Sequence, residues 1–182
     1  MTGRLSAINA RLVGKISLFA LDVDGVMTDG AITINDDGVE TKSFNVRDGM
    51  AIAIALRNGF QVAIISGRYS KVVERRAAEL KIQHVYQGVG EKTKIFEQLL
   101  AKLDLKPSQA AFMGDDINDV DTFKLAGFSA APSDADPAAK KAARWVSSFA
   151  GGRGAVRELI QLVMTRQKKW PTPDGISYPD KV

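Results

Sequence analysis

The chain has 182 residues, a formal net charge of +4, 45% hydrophobic residues and 25% charged residues, which is the composition of a globular protein of one domain. It contains no cysteine and only one histidine, so disulfides, thiolate metal sites and histidine-rich zinc sites are excluded, and Asp and Glu oxygens are left as ligands that suit Mg²⁺. The lack of cysteine favours a reducing cytoplasm, and no apolar run is long enough to span a membrane.

Apolar strand patterns alternate with amphipathic helical patterns along the chain, which is typical of βαβ units and a parallel sheet. The predicted strands cover residues 16–22, 61–66, 84–87, 110–114, 128–131 and 144–147. The predicted helices lie near 48–58, 70–80, 90–103, 117–126, 135–142 and 153–165. We therefore expect an α/β fold with a doubly wound, Rossmann-like parallel sheet, in a single domain over residues 1–165.

Two segments depart from this alternation. Residues 29–44 alternate apolar and polar positions around the turn sequence NDDG, which predicts a β-hairpin that projects beyond the first strand. Residues 170–182 contain three of the six prolines and have no periodicity, so we expect an extended or mobile arm there. The C-terminal arm is assigned to residues 166–182.

The first predicted strand runs into two aspartates, in the stretch LFALDVDGVMTDG (18–30). While the chain stays extended, the side chains of Asp22 and Asp24 point to one face, at the sheet edge where ligands of such folds bind. Two carboxylates this close repel each other unless a cation lies between them or one is protonated. The alternative is a helix-capping aspartate with an incidental neighbour.

Two further positions carry candidate phosphate ligands, one directly after a strand and one at the start of a helix. In ISGRYS (65–70), Ser66 follows a strand and opens a helix, so its hydroxyl and the free backbone N–H groups can bind an anion; an ordinary helix cap is the alternative. Lys92 begins a helix, where a cation is unfavourable unless it faces a phosphate or carboxylates. Lys94 is its rival, and a solvated surface is the alternative for both lysines.

A second acidic cluster, MGDDINDVD (113–121), follows another apolar strand. Helix capping needs fewer acidic residues than this, and the carboxylates would repel one another without a cation. We interpret Asp115 as a metal ligand and Asp119 as a further ligand or an orienting group. Asp116 and Asp121 are interpreted as capping or solvated.

The positive charge is concentrated in residues 151–170, while the rest of the chain is nearly balanced. This segment has no basic face interleaved with aromatic residues, so we expect a small anionic substrate as the partner and no nucleic acid.

The order of these motifs resembles the haloacid dehalogenase superfamily of phosphatases. A receiver domain of two-component signalling is the alternative of similar fold, but it needs an aspartate after the third strand, where this chain has HVYQGVG. More closely, the chain is similar to the 3-deoxy-D-manno-octulosonate 8-phosphate (Kdo-8-phosphate) phosphatase family. The matching stretches are DVDGVMTDG (22–30), KSFNVRDGMAI (42–52), IISGR (64–68), YQGVGEK (86–92), GDDINDV (114–120) and AGGRGAVREL (150–159).

The resemblance implies a Mg²⁺-dependent phosphoric monoester hydrolase that releases Kdo on the way to lipopolysaccharide. Asp22 would be the nucleophile that forms an aspartyl phosphate, and Asp24 the general acid and base. Asp22, the backbone carbonyl of Asp24 and Asp115 would bind the metal. Ser66 and Lys92 would hold the phosphate oxygens.

The resemblance also implies a capless enzyme that closes its site by assembling as a homotetramer. The residues implied in substrate binding are Asp24, Asn45, Val46, Arg47, Asp48, Gly49, Arg68, Arg76 and Lys92. Arg153 would reach a neighbouring subunit's site; a helix-capping turn over 151–154 is the alternative. A solvated face is the alternative for Arg76, and Arg75 is its equal by sequence alone. The same chemistry on a nine-carbon, sialic-type sugar acid 9-phosphate stays open, as does a non-catalytic phosphosugar-binding subunit.

Overall fold

A computed structural model describes residues 11–171 of the chain. The strands are β1 (Leu18–Leu21), β2 (Thr33–Ile34), β3 (Glu40–Thr41), β4 (Gln61–Ile65), β5 (His84–Tyr86), β6 (Ala110–Met113), β7 (Phe128–Ala131) and β8 (Trp145–Val146). The helices are α1 (Val46–Arg57), α2 (Lys71–Glu79), α3 (Lys92–Lys102), α4 (Val120–Leu125), α5 (Pro137–Ala142) and α6 (Ala155–Arg166). Short 3₁₀ turns cover Pro107–Gln109 and Ile117–Asp119.

The main sheet confirms the predicted α/β fold. Its strand order is β5-β4-β1-β6-β7-β8 and its neighbouring strands run parallel. All six predicted strands are present, and each begins and ends no more than two residues inside its predicted range. The helix predicted over 117–126 is a 3₁₀ turn followed by α4, and α1 begins two residues earlier than predicted because Asn45 caps it through its side chain.

Helices cover both faces of the sheet, as the alternation of side chains along β1 requires. Phe19 and Leu21 pack with one cluster, which includes residues of α1, α2 and α6. Leu18 and Ala20 point the opposite way, into a cluster that includes residues of α3, α4 and α5. All four residues are completely buried, so β1 is apolar on both faces, which is typical of a central parallel strand.

The strand order reverses direction beside β1. From β1 the chain adds β4 and β5 on one side, and then crosses to add β6, β7 and β8 on the other side. The crevice at the carboxyl ends of β1 and β6 is therefore the switch point, where ligands of open α/β sheets bind. Asp22 follows β1 and Asp115 follows β6, so the two acidic motifs meet at this crevice.

The predicted β-hairpin is confirmed. Strands β2 and β3 pair antiparallel, with Thr33 opposite Thr41. In the turn, the side chain of Asn35 accepts hydrogen bonds from the backbone N–H groups of Asp37 and Val39, and Gly38 has a φ of +75°. The hairpin lies between β1 and α1 in the chain and forms its own two-stranded sheet.

The end of the described chain packs against the body of the protein. The Arg157 guanidinium in α6 lies 5.3 Å from the centre of the Trp170 ring, and Lys169 Nζ lies 4.7 Å from that of Phe60. Most of the predicted C-terminal arm, residues 172–182, lies outside the described residues. Within residues 11–171 no helix has both the length and the apolar character needed to cross a bilayer.

Candidate active site

A cleft of about 280 Å³ opens at the switch point of the sheet. Loops that follow β1, β4 and β6 supply most of its walls, since the carboxyl ends of parallel strands meet at one edge. Its lining residues are Asp22, Asp24, Gly30, Ser66, Gly67, Arg68, Lys92, Asp115, Asp116 and Asn118. The cleft therefore gathers the four sequence motifs that were predicted to form one site.

Asp22 and Lys92 form the buried ion pair at the base of the cleft. Lys92 Nζ donates to Asp22 Oδ2 at 2.6 Å and to Asp119 Oδ1 at 2.7 Å. Burial opposes the charge of Lys92, but the two carboxylates outweigh it and raise the lysine's pKa. Burial and the charge of Asp119 raise the pKa of Asp22 to about 6, although Lys92 acts in the opposite direction. Of the two rival lysines, Lys92 is the one in the cleft, while Lys94 lines a different surface pocket.

The carboxylates of Asp22, Asp115 and Asp119 form a cluster in which one oxygen of each lies within 4.8 Å of the others. Burial and the charges of Asp22 and Asp119 raise the pKa of Asp115 to about 7. Lys92 forms ion pairs with the carboxylates of Asp22 and Asp119. An all-oxygen set with an excess of negative charge fits a hard divalent cation such as Mg²⁺.

Asp119 has the hydrogen bonds expected of an orienting group. It is completely buried, and its Oδ2 accepts the backbone N–H groups of Asp115 at 3.0 Å and Asp116 at 3.2 Å, while Oδ1 accepts Lys92. Gly114 makes room for it, because a Cβ at residue 114 would lie 2.3 Å from Asp119 Cγ. Direct metal binding by Asp119 stays a prediction. Asp116 caps the 3₁₀ turn at Ile117, and Asp121 pairs with Lys124 on the surface.

Gly25 allows the loop after β1 to approach the loop after β6. Its φ is +78°, and a Cβ there would lie 1.8 Å from Asp115 Oδ2. Glycine is thus needed at this position both for the backbone conformation and for the space that the Asp115 carboxylate fills.

Ser66 is placed as expected of an anion ligand. It is 3% exposed at the end of β4 and lines the cleft. Its Oγ accepts the backbone N–H of Arg68 at 3.3 Å, which leaves the hydroxyl proton available to an acceptor in the cleft. Contact of Ser66 with phosphate stays a prediction.

Asp24 is held by residues of the hairpin and of the loop after β4. Its Oδ1 accepts a hydrogen bond from Lys42 Nζ, and its Oδ2 lies 3.4 Å from Arg68 Nη1. The other guanidinium nitrogen of Arg68 donates to Glu40 at 2.8 Å. Lys42 and Glu40 were not among the residues predicted from the sequence, although Glu40 lies on β3 and Lys42 directly follows it. A spacing of two residues along an extended chain places both side chains on one face.

A second cleft of about 390 Å³ adjoins the first, since Asp29 lines one and Gly30 the other. It contains four of the predicted substrate or neighbour-site residues, namely Asn45, Val46, Arg47 and Arg153. The Arg153 side chain is 69% exposed and lies 3.4 Å from Asp29. Whether these residues bind a substrate, in this subunit or in a neighbouring one, stays a prediction.

Three predicted substrate residues lie outside the linings of both clefts. Asp48 is 3% exposed and accepts the backbone N–H of Arg157. Arg76 pairs with Glu79 at 2.8 Å and packs over Gly49, where a Cβ would lie 2.2 Å from the arginine. Substrate contact by Asp48, Gly49 and Arg76 stays a prediction, and in this structure their contacts join helices.

Known proteins are similar to this chain in sequence. The sequence profile of the haloacid dehalogenase-like hydrolases matches residues 35–127. The 3-deoxy-D-manno-octulosonate 8-phosphate phosphatase of Escherichia coli K12 is 44% identical over 173 residues, which cover 93% of this chain and 92% of the relative. The corresponding phosphatase of Salmonella typhi is 46% identical over 163 residues, which cover 90% of this chain and 87% of the relative.

Solved structures are similar to this chain as well. The crystal structure of the 3-deoxy-D-manno-octulosonate 8-phosphate phosphatase of Yersinia pestis has a TM-score of 0.88 and 42% identity, covering 90% of this chain and 88% of that one. That of Moraxella catarrhalis, in complex with a magnesium ion, a phosphate ion and Kdo, has a TM-score of 0.86 and 37% identity, covering 87% and 91%.

Proposed function

This chain belongs to the 3-deoxy-D-manno-octulosonate 8-phosphate phosphatase family of the haloacid dehalogenase-like hydrolases, and on that basis we propose that it hydrolyses Kdo-8-phosphate to Kdo and phosphate. The reaction is a Mg²⁺-dependent phosphate monoester hydrolysis with an aspartyl-phosphate intermediate, and it serves lipopolysaccharide synthesis.

One observation carries the proposal. A buried carboxylate, Asp22, lies at the switch point of the sheet with Lys92 on one of its oxygens and Asp115 beside it. A module that only bound a phosphosugar would have no need for a buried carboxylate where the phosphorus must lie, because a carboxylate repels a phosphate. A nucleophile for phosphoryl transfer needs this arrangement.

In the proposed mechanism Asp22 attacks phosphorus and Asp24 gives a proton to the leaving alkoxide. Asp24 then takes a proton from the water that hydrolyses the aspartyl phosphate. Ser66 and Lys92 hold the non-bridging oxygens, which keeps the phosphorus in line with the nucleophile. Asp22, Asp115 and the backbone carbonyl of Asp24 would hold Mg²⁺, which supplies charge neutralisation when bound.

The substrate class follows from the family and from the charges beside the cleft. The relatives named above act on an eight-carbon sugar acid phosphate, and the Moraxella catarrhalis structure contains Kdo. Arg47 and Arg153 line the adjoining cleft, and a guanidinium binds a carboxylate through two hydrogen bonds. These arginines suit the carboxylate of a sugar acid.

Phosphate release with Mg²⁺ tests the proposal. The substrates are Kdo-8-phosphate, a nine-carbon sialic-type 9-phosphate and simple hexose phosphates, with Asp22→Asn as the control. A strong preference for Kdo-8-phosphate that the variant abolishes is the expected result. Preference for the nine-carbon acid would keep every mechanistic role and change the substrate. Release from none of them would favour a non-catalytic phosphosugar-binding subunit.

A homotetramer and a cytoplasmic location are part of the same proposal, and family membership supports both. Sedimentation equilibrium tests the first, because a monomeric wild type would contradict it. Fractionation of cells that produce the protein tests the second.

A further inference from the structure

The hairpin reaches the catalytic loop through a buried lysine that the proposed mechanism does not use. The Lys42 side chain is only 1% exposed, and its Nζ bonds to Oδ1 of Asp24 and lies 3.4 Å from Glu40. A lysine is rarely buried this fully unless its charge is paired. Because it is closed off from solvent, Lys42 is not placed to hold a substrate itself.

Lys42 belongs to a closed ring of alternating charges. Asp24 contacts Lys42 and Arg68, and Glu40 contacts the same two cations. Two members, Glu40 and Lys42, come from the hairpin, and the other two come from the loops after β1 and β4. The ring joins the hairpin to the carboxylate that the mechanism uses as acid and base.

The two oxygens of Asp24 are not equivalent in this ring. Oδ1 accepts a hydrogen bond from the buried Lys42, whereas Oδ2 accepts a long one, of 3.4 Å, from Arg68, whose side chain is 43% exposed. The oxygen that accepts the shorter bond from a buried cation is the more strongly held, because a long bond to an exposed cation is weakened by solvent. Oδ2 is therefore the oxygen of Asp24 that Lys42 leaves available for proton exchange.

We propose that Lys42 is a positioning residue for the reaction: by holding Oδ1 of Asp24, it fixes the carboxyl group and makes Oδ2 the atom that gives and takes the proton. The inference rests on the proposed function, because it assigns a role within that chemistry. It makes the hairpin part of the catalytic apparatus.

Both proton transfers of the reaction then use Oδ2 of Asp24. As the bond between phosphorus and the ester oxygen breaks, the bond between phosphorus and Asp22 forms, and the proton on Oδ2 passes to the leaving alkoxide. When water attacks phosphorus, its proton returns to Oδ2, and the bond to Asp22 breaks with its electron pair staying on the carboxylate.

A docking role for Lys42 is the rival explanation. Strands β2 and β3 have two residues each, and an isolated two-stranded hairpin is marginally stable. The ring would then only anchor the hairpin. Loss of anchoring lowers activity on every ester alike, whereas loss of positioning affects the esters whose leaving group needs a proton.

The experiment compares kcat/KM of wild type and Lys42→Met on two classes of ester. Kdo-8-phosphate and a simple primary-alkyl phosphate have leaving groups that need protonation, and p-nitrophenyl phosphate has one that does not. The steps up to leaving-group release determine kcat/KM, so the comparison isolates the acid step. Lys124→Met is the matched control, because Lys124 pairs with Asp121 at 2.7 Å but is 71% exposed.

We expect Lys42→Met to lower kcat/KM for the alkyl esters at least about tenfold more than for p-nitrophenyl phosphate, as part of the 10²–10⁴-fold that a general acid contributes. Lys124→Met should leave both unchanged. Glu40→Gln removes a contact of the ring but leaves Lys42 on Asp24, so it should change both ester classes by the same factor. If Lys42→Met does not fold, Lys42→Gln is measured with the same expectation.

An equal loss on both ester classes, or no loss, would overturn the role of Lys42 and leave the proposed function standing. A wild type active on the simple esters but not on Kdo-8-phosphate would refute the proposed substrate, while the comparison for Lys42 would remain valid. A wild type that hydrolyses none of the esters would overturn both proposals.

Discussion

The carboxylate of Asp48, in the first turn of α1, accepts a 2.7 Å hydrogen bond from the backbone N–H of Arg157, in the first turn of α6. Helix α6 begins after Gly154, which has no side chain with which to cap it. Asp48 therefore caps α6 from a neighbouring helix. Asn45 adds a 3.4 Å hydrogen bond to the carbonyl of Gly152. The start of α1 thus holds the segment that carries Arg153 beside the cleft.

Asp48→Ala should lower the free energy of unfolding by about 1–3 kcal/mol, because a buried N–H loses its acceptor. Asp48→Asn should lose less, since its amide oxygen still accepts the bond. Burial raises the pKa of Asp48 and so disfavours its charge, which the Asn lacks. Urea denaturation of the three proteins measures this. Equal losses for Ala and Asn would mean that the charge of Asp48 stabilises α6.

Gly25→Ala should remove metal binding and at least about 10²-fold of the activity, because its Cβ would lie 1.8 Å from Asp115 Oδ2 and displace that carboxylate. Gly38→Ala is the matched control. Gly38 has a nearly equal φ of +75°, but no atom lies within 4 Å of an added Cβ. Both variants carry the same backbone strain, so the difference between them measures the close approach.

Isothermal titration with Mg²⁺ and phosphate release at saturating substrate give the two readouts for this pair. Gly38→Ala should bind Mg²⁺ as wild type does. Equal defects in both variants would show that backbone strain, and not the displacement of Asp115, causes the loss.

Ser66→Ala should lower kcat/KM about 10- to 10²-fold, which corresponds to the 1.5–3 kcal/mol of a hydrogen bond to a charged group. Ser66 Oγ accepts the N–H of Arg68, so its proton is free to reach a phosphate oxygen. Ser133→Ala is the control, because Ser133 is exposed and absent from the cleft lining. Steady-state phosphate release measures both variants, and an unchanged Ser66→Ala would remove Ser66 from the phosphate site.

The parts of this molecule that depend on short-range pattern were predictable from the sequence. The strands follow from apolar runs, and the meeting of Asp22 with Asp115 follows from the rule that strand ends converge at a switch point. The role of Asp48 was not predictable in this way. An acid in a first helical turn normally serves its own helix, and only the packing of α1 on α6 turns it to another helix.

The contact between Lys42 and Asp24 was not predictable either, because it also depends on tertiary packing. The hairpin itself could be predicted from its alternation and turn residues, but where it docks depends on contacts between residues far apart in the chain. Lys42 and Asp24 are 18 residues apart. Nothing in the local sequence distinguishes this lysine from a solvated one on a hairpin strand.

The carboxylate cluster should make Mg²⁺ stabilise the protein more as pH rises. Burial and neighbouring charges raise the pKa of Asp22 to about 6 and that of Asp115 to about 7, both from 3.8. A carboxyl group whose pKa is raised by folding contributes stability that is complete below its unfolded pKa. That contribution is lost as pH rises through the folded pKa, so the metal-free protein loses it between about pH 4 and pH 7.

Mg²⁺ binds the ionised carboxylates, so the affinity for Mg²⁺ rises over the same range of pH. The difference in Tm with and without Mg²⁺ should therefore be small at about pH 5 and large at about pH 8, where Mg²⁺ at 100 times its Kd adds about 2.7 kcal/mol. Asp115→Asn should show little difference at either pH, and without metal at about pH 8 it should melt above wild type, because it lacks the repelling charge. Thermal melts with Mg²⁺ or a chelator measure all three expectations. An equal Mg²⁺ effect at both pH values in wild type would mean that these carboxylates are not its ligands.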